Sequence, residues 1–213
     1  MREIFPAIYE VMPSKQTPKK YRTFFVQHPE GNLLFPCFSA SSTIDANFSA
    51  IDGLGGIKRQ LLGDSHFKAA HCDEIAKRFD APLYCSEVEA PDVTATLQHV
   101  VTFPFTRHFL AAKVEVIPTP GHRDGGVCYL VSAAGQRYLF AGDFIWHDGE
   151  QWISTARKAT VSTYIASLRL VESLDFDVLL VNSVISNPTC FIELNKESRS
   201  TFIAKLVSQL DQR

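Results

Sequence analysis

Thr119-Pro120-Gly121-His122, followed later by Ala141-Gly142-Asp143, is the stretch on which the reading of this chain turns. Just before it, residues 113–117 alternate apolar and polar side chains, the pattern of a half-buried strand. The Pro-Gly turn ends that strand and leaves His122 at its tip. Residues 127–131 and 136–141 read as two further strands joined by a turn at Ala134-Gly135. The second of these again ends on a glycine followed by an ionisable side chain, Asp143. Two strand ends that offer an imidazole and a carboxylate suit a metal ion such as zinc or iron(II). The plainer reading makes His122 a hydrogen-bonded loop histidine and Asp143 a turn or cap residue. Spacing alone leaves both open.

Upstream, residues 4–11 and 21–27 read as strands separated by a polar turn region at 13–20. His28-Pro29-Glu30-Gly31-Asn32 then signals a hairpin leading into Leu33-Leu34-Phe35. Residues 39–51 are rich in Ser, Thr and Asn and read as loop or short helix. A short strand near 55–62 leads into Gly63-Asp64-Ser65-His66-Phe67-Lys68-Ala69. A helix from about Phe67 to Phe79 is expected next, because Phe67, His71, Ile75 and Phe79 recur at the i+4 spacing of one face. On that face His71 reads as a core histidine rather than a ligand. Residues 81–85 return as a strand, 87–97 carry no clear pattern, and 99–105 read as a strand. Beyond Asp143, residues 144–153 carry both tryptophans and His147 and are expected as a loop over a pocket mouth. Residues 160–174 form a helix with Val161, Ile165, Leu168 and Val171 inward, 177–181 a buried strand, and 195–210 a closing amphipathic helix.

The Thr-Pro-Gly-His turn, the short hairpin and the Gly-Asp end resemble the second and third metal motifs of the metallo-β-lactamase-fold superfamily. The resemblance covers nearly the whole chain. It implies an α/β sandwich, two mixed sheets flanked by helices in an αββα order, as a single domain over residues 1–213. It also exposes departures. The superfamily's first motif, His-x-His-x-Asp-His, becomes Asp64, His66, Lys68 and Ala69, and the Gly-His that usually ends the last strand becomes Asn182-Ser183. Carried over residue by residue, the first metal position keeps His66, His122 and the bridging Asp143, and exchanges one imidazole for Asp64. The second position keeps no ligand of its own. The resemblance therefore implies at most one zinc or iron ion, held by Asp64, His66, His122 and Asp143. Asp143 and Lys68 are the candidate catalytic groups, the Lys68 ammonium being expected beside Asp143 in place of the absent ion. Three outcomes follow: a hydrolase of a small ester, thioester, lactone or phosphodiester; a metal-bound but slow site; or a metal-free ligand-binding protein on the same fold.

Composition bounds the rest. The 213 residues suffice for a substantial core, and a net charge of −2 without runs of one sign argues against a nucleic-acid partner or a polybasic membrane patch. No stretch has the length and apolarity of a membrane span or a signal peptide. Five scattered cysteines, at 37, 72, 85, 128 and 190, read as reduced thiols in a cytoplasm, and the resemblance implies a small-molecule partner. Asp64-Ser65-His66 and Gly142-Asp143 superficially resemble motifs of calcineurin-like phosphoesterases, but that family's Gly-Asn-His-Glu and Gly-His-x-His elements are missing. No Gly-x-Ser-x-Gly elbow or glycine-rich phosphate loop is present.

Overall fold

The structure, a computed structural model, describes residues 1–14, 19–185 and 189–211, so part of the turn expected at 13–20 lies outside the described residues. The first half of the chain forms β1 (Arg2–Phe5), β2 (Ile8–Val11), β3 (Lys19–Tyr21), β4 (Thr23–Val26), β5 (Leu33–Phe35), α1 (Phe48–Gly53), β6 (Arg59–Leu61), α2 (His71–Phe79), β7 (Leu83–Ser86), α3 (Ala90–Thr94) and β8 (Val100–Phe103). The middle forms β9 (His108–Ala111), β10 (Val114–Pro118), β11 (Val127–Ala133), β12 (Gln136–Phe140), β13 (Trp146–His147) and β14 (Trp152–Ile153). The chain closes with α4 (Val161–Ser173), β15 (Val178–Leu180), β16 (Ser183–Ile185), β17 (Phe191–Glu193) and α5 (Lys196–Asp211).

Among the described residues, these strands make a sheet of order β1-β2-β4-β5-β6-β7-β8, a second of order β17-β15-β12-β11-β10-β9, and a small third of order β14-β13-β16-β3. The middle strands of the first sheet are apolar on both faces, which only a covered sheet tolerates. Phe24, Val26, Leu33 and Phe35 face the second sheet, whereas Phe25 and Leu34 face Ile51, Cys72 and Ile75 beneath α1 and α2. On the far side of the second sheet, Tyr164, Leu168 and Val171 of α4 join Ile203 and Leu206 of α5 in the same cluster that fills the inter-sheet space. The four layers are thus helix, sheet, sheet, helix. Phe35 and Phe140 stack face to face across the two sheets with centroids 3.9 Å apart. Each such fully buried ring contributes on the order of 1.5–3 kcal/mol through the area it removes from water.

The topology gathers one end of the sandwich. β10 and β12 both run antiparallel to β11, and β15 runs parallel to β12, so the C-terminal ends of β10, β12 and β15 emerge on one side. Asp64 follows β6, His122 follows β10, Asp143 follows β12 and Asn182 follows β15.

Three expectations change here. Residues 4–11, read as one strand, belong to a hairpin in which β1 pairs antiparallel with β2. The helix expected from Phe67 starts at His71 instead, because Ser65–Phe67 closes into a 3-10 turn and Lys68 is extended (φ −70°, ψ 142°). Asp64 causes this: its carboxylate accepts the His66 amide at 2.8 Å and caps the short turn. Nor is 144–153 a loop over a mouth. β13 pairs with β14 and β16 in the third sheet, and His147 is buried there against the Trp152 ring. Residues 39–51 resolve into a 3-10 turn, Asp45–Asn47, running into α1.

Candidate metal centre

The turn that carries His122 is built for close approach. Gly121 has φ +128°, and a Cβ there would stand 2.6 Å from the Tyr164 Cα of α4, so only glycine fits. Ser167, one helical turn on, donates its hydroxyl to the Pro120 carbonyl at 2.7 Å. The His122 backbone is therefore fixed against α4, and its ring is fixed by a second contact. Nδ1 lies 3.2 Å from the Thr155 carbonyl, which can only accept, so Nδ1 carries hydrogen and Nε2 is the nitrogen turned inward. Thr155 is propped in turn by Trp146, whose indole N–H donates to its hydroxyl at 3.1 Å. The tryptophan segment thus supports the rim from behind.

Four side chains converge. His122 Nε2 lies 3.3 Å from His66 Nδ1 and 3.3 Å from Asp143 Oδ2. His66 Nδ1 lies 3.5 Å from Asp143 Oδ2 and 3.5 Å from Asp64 Oδ1. Zinc bonds of ~2.0–2.1 Å to nitrogen and oxygen give tetrahedron edges of ~3.3 Å. Four of the six edges are therefore already at the spacing a tetrahedral ion requires. Asp143 Oδ1 is buried and has no hydrogen-bond partner among the described residues, a costly state for a carboxylate oxygen. The donor set of two imidazoles and two carboxylates fits zinc or iron(II).

Burial pushes the Asp64 carboxyl well above the usual carboxylate range, aided by the charge of Asp143 and a hydrogen bond to it. Asp143 goes the other way. Burial opposes its ionisation, but hydrogen bonds from His122, His66 and Asp64 outweigh that and hold it below the usual range. For His122, burial opposes the cation, and the hydrogen bond and charge of Asp143 outweigh it, raising the imidazole. Burial thus favours the neutral form of Asp64, and the His122–Asp143 hydrogen bond favours an imidazolium beside a carboxylate.

Lys68 is not part of it. Its ammonium pairs with Asp92 Oδ1 at 3.0 Å and donates to the Ser65 carbonyl at 3.3 Å, rather than reaching Asp143 or Asp64. The extended backbone at Lys68 turns the side chain toward α3, so the expected surrogate cation is corrected to a partner of Asp92. Ala69 and Ser183, which stand where the resemblance puts other second-position ligands, are buried without metal-binding atoms of imidazole or carboxylate type. Asn182 has become a stitch instead, donating to the Arg22 carbonyl at 2.6 Å.

Of the four, His66 and His122 open onto a cavity of about 500 Å³, which is also lined by Glu89, Asp92, Arg123 and Arg157, among others. Sequence reasoning missed Glu89 and Arg123. Arg123 joins Ser65 Oγ at 2.7 Å and Asp92 at 3.1 Å. Glu89 accepts the Ser65 and Gly125 amides at 3.0 and 3.1 Å. Those bonds and the Arg123 charge outweigh burial and hold its carboxyl below its ordinary range. The only signal for Arg123 was its place beside His122.

All five cysteines are free and buried. No helix among the described residues is long and apolar enough to cross a membrane.

No protein-family model matches the chain, and no curated protein matches it in sequence. Solved structures match it along almost its full length. A metallo-β-lactamase from Cronobacter sakazakii superposes with a TM-score of 0.69 at 14% identity, covering 99% of this chain and 95% of that one. A subclass B3 metallo-β-lactamase isolated from a soil metagenome library gives 0.68 at 14% identity, with 99% and 94% covered. A B3 metallo-β-lactamase described as having an active-site glutamic acid gives 0.64 at 15% identity, with 100% and 91% covered. Identities this low speak for architecture alone. The chain has the metallo-β-lactamase fold, as the motif resemblance implied.

Proposed function

We propose that this protein is a mononuclear metal-dependent hydrolase-like protein, binding one zinc or iron(II) ion through Asp64, His66, His122 and Asp143. The observation that carries the reading is the spacing of the four inward donor atoms, together with the orphaned Oδ1 of Asp143. An ion there supplies Lewis-acid polarisation of a carbonyl or phosphoryl oxygen. The chain's own residues do the rest. Thr155 keeps the His122 lone pair directed inward, and Asp143 completes the inner wall. Arg123 and Arg157 stand at the cavity side, where they can meet an acyl or phosphoryl oxygen of a small substrate. A bound ion would compete with protons for Asp64 and His122, so its affinity would rise with pH.

The missing second position favours a weaker variant of the same reading, in which the ion is held but turnover is slow. A carboxylate in place of an imidazole adds negative charge to the ion and lessens its Lewis acidity. Elemental analysis of protein purified without chelators should find one equivalent of metal per chain. A panel of small esters, thioesters, lactones and phosphodiesters then reads turnover. Two equivalents, or none after zinc and iron(II) are supplied, would sink the proposal. One equivalent with ligand-induced thermal stabilisation but no turnover across the panel would leave a metal-holding binding protein.

A further inference from the structure

β6 and β10 lie in different sheets, so ladder hydrogen bonds do not set the distance between the loops that follow them. Yet Asp64 and His66 come from one loop and His122 from the other, and their ligand atoms meet to within a few tenths of an ångström of tetrahedral spacing. One direct main-chain bond joins the two segments, from the Val127 amide to the Gly63 carbonyl at 2.9 Å. A third segment, the turn after β7, supplies more. Glu89 is 5% exposed, and its two carboxylate oxygens are divided between the loops. Oε2 accepts the amide of Ser65, the residue between Asp64 and His66, at 3.0 Å. Oε1 accepts the amide of Gly125, just beyond His122, at 3.1 Å.

A separate observation shows that the His122 loop is pressed onto this turn. A Cβ at Gly125 would stand 2.7 Å from Val88 Cβ, 2.8 Å from Ser86 Oγ and 2.9 Å from Glu89 Cγ. Ser86 also donates its hydroxyl to the Gly125 carbonyl at 2.7 Å. Arg123 closes the arrangement from the other side, with Nε 3.5 Å from Glu89 Oε2 and an N–H given to Ser65 Oγ.

We propose that Glu89 is a positioning residue: one buried carboxylate that staples the Asp64–His66 loop to the His122 loop and so sets the spacing of the metal ligands. The inference rests on the metal-site reading above and goes beyond it by assigning a residue outside the ligand set. A carboxylate is needed because both partners are amide donors and only an ionised group offers an acceptor to each. Glutamine would keep one acceptor and turn an N–H₂ toward the other amide.

The test sets Glu89→Ala and Glu89→Gln against Asp73→Ala. Asp73 is a structural counterpart away from the cavity, accepting the amides of Gln98 and His99 at 2.9–3.1 Å. Zinc affinity is read by competition with a chromophoric chelator. The thermal midpoint and the amide hydrogen exchange of Ser65 and Gly125 are read on the metal-free protein. Glu89→Ala should lower zinc affinity by about 10–100-fold, the range for supporting residues of metal ligands. It should also expose both amides together. Glu89→Gln should fall between, protecting one amide, and it keeps the proposal testable if Glu89→Ala does not fold. Asp73→Ala should lower the thermal midpoint while leaving zinc affinity within about threefold of the parent, since its bonds are remote from the ligands. Zinc affinity equally unmoved by Glu89→Ala, or equally lowered by Asp73→Ala, overturns the proposal. If the parent protein binds neither zinc nor iron(II), the metal-site reading falls, and exchange alone decides the staple: protection retained at either amide in Glu89→Ala overturns it.

Discussion

Among the described residues, two groups of three or more imidazole and carboxylate side chains bring their ligand atoms within 4.8 Å of one another, and they differ in what those atoms are already doing. One is Asp64, His66, His122 and Asp143. The other is Asp45, His71 and Glu74. At the second, His71 Nε2 accepts the Ile44 amide at 3.0 Å, so its lone pair is taken and the proton must sit on Nδ1. Nδ1 then donates to Glu74 Oε2 at 2.6 Å. Both nitrogens are committed, and Asp45 and Glu74 are exposed carboxylates that water solvates. At the first cluster, the carbonyl of Thr155 occupies the outer nitrogen of His122 and leaves the inner one 3.3 Å from Oδ2 of Asp143, a carboxylate whose buried Oδ1 has no partner among the described residues. Proximity is common to both. Convergence of the donors on one point, rather than their commitment to backbone amides, separates a candidate metal centre from a hydrogen-bonded core histidine.

The largest expected effect attacks that contrast directly. His122→Ala removes one of four ligands and should weaken zinc binding by more than about 100-fold, beyond the 10–100-fold typical of losing a supporting partner. His71→Ala should leave zinc affinity within about twofold. It should cost about 2–4 kcal/mol of stability, because it empties a site packed against Phe38 and Phe48 and leaves the Ile44 amide unpaired. Isothermal titration with zinc and denaturant unfolding separate the two. Zinc affinity lost in His71→Ala and kept in His122→Ala would invert the comparison.

A smaller effect is carried by pH. Glu89 is held below its ordinary range by the Ser65 and Gly125 amides and by Arg123. A carboxyl depressed in the folded state stabilises above its unfolded value of about 4.3, and that stabilisation fades as pH falls through the folded value. Glu89→Gln should therefore cost about 1–3 kcal/mol at pH 7, the range for losing a buried hydrogen-bonded charge. The gap between parent and variant should narrow as pH falls from 5 toward 3. Chemical unfolding of the metal-free proteins across that range measures it. A gap that stays constant would show that the carboxylate charge contributes nothing to the staple.

What was legible beforehand follows a physical divide. The central strands were readable because residues such as Phe24, Phe25, Leu33, Leu34 and Phe35 are apolar on both faces, which a two-sided buried sheet demands. His122 and Asp143 were readable because each follows a strand end marked by glycine. Glu89 was not, because a carboxylate that caps two distant amides leaves no periodic trace, and residues 87–97 showed none. The start of α2 was misplaced for a related reason. Phe67 fits the i+4 apolar spacing of the helix that follows, but the Asp64 side chain caps a 3-10 turn first, and the local hydrogen bond overrides the pattern. The third sheet was hidden because β13, β14 and β16 are two or three residues long, too short for alternation to register.

The smallest expected effect concerns Lys68, and it separates the two ends of the site opening. Had its ammonium replaced an absent ion beside Asp143, its removal would leave uncompensated negative charge in the cluster and raise divalent-metal affinity. The structure gives the ammonium to Asp92 at 3.0 Å instead, and Asp92 is half-exposed and holds a second cation, Arg123, at 3.1 Å. Losing Lys68 therefore leaves Asp92 paired. An ion pair this open to solvent contributes about 0–1 kcal/mol, and its field is screened by salt within about 10 Å at 0.1 M. Lys68→Met should accordingly shift the thermal midpoint by no more than a few degrees and zinc affinity by no more than about twofold. Parallel zinc titrations at low and moderate salt check this, since a cation acting on Asp143 would show a salt-dependent gain in affinity upon removal. A tenfold gain would return Lys68 to the metal cluster and make Asp92 its secondary partner.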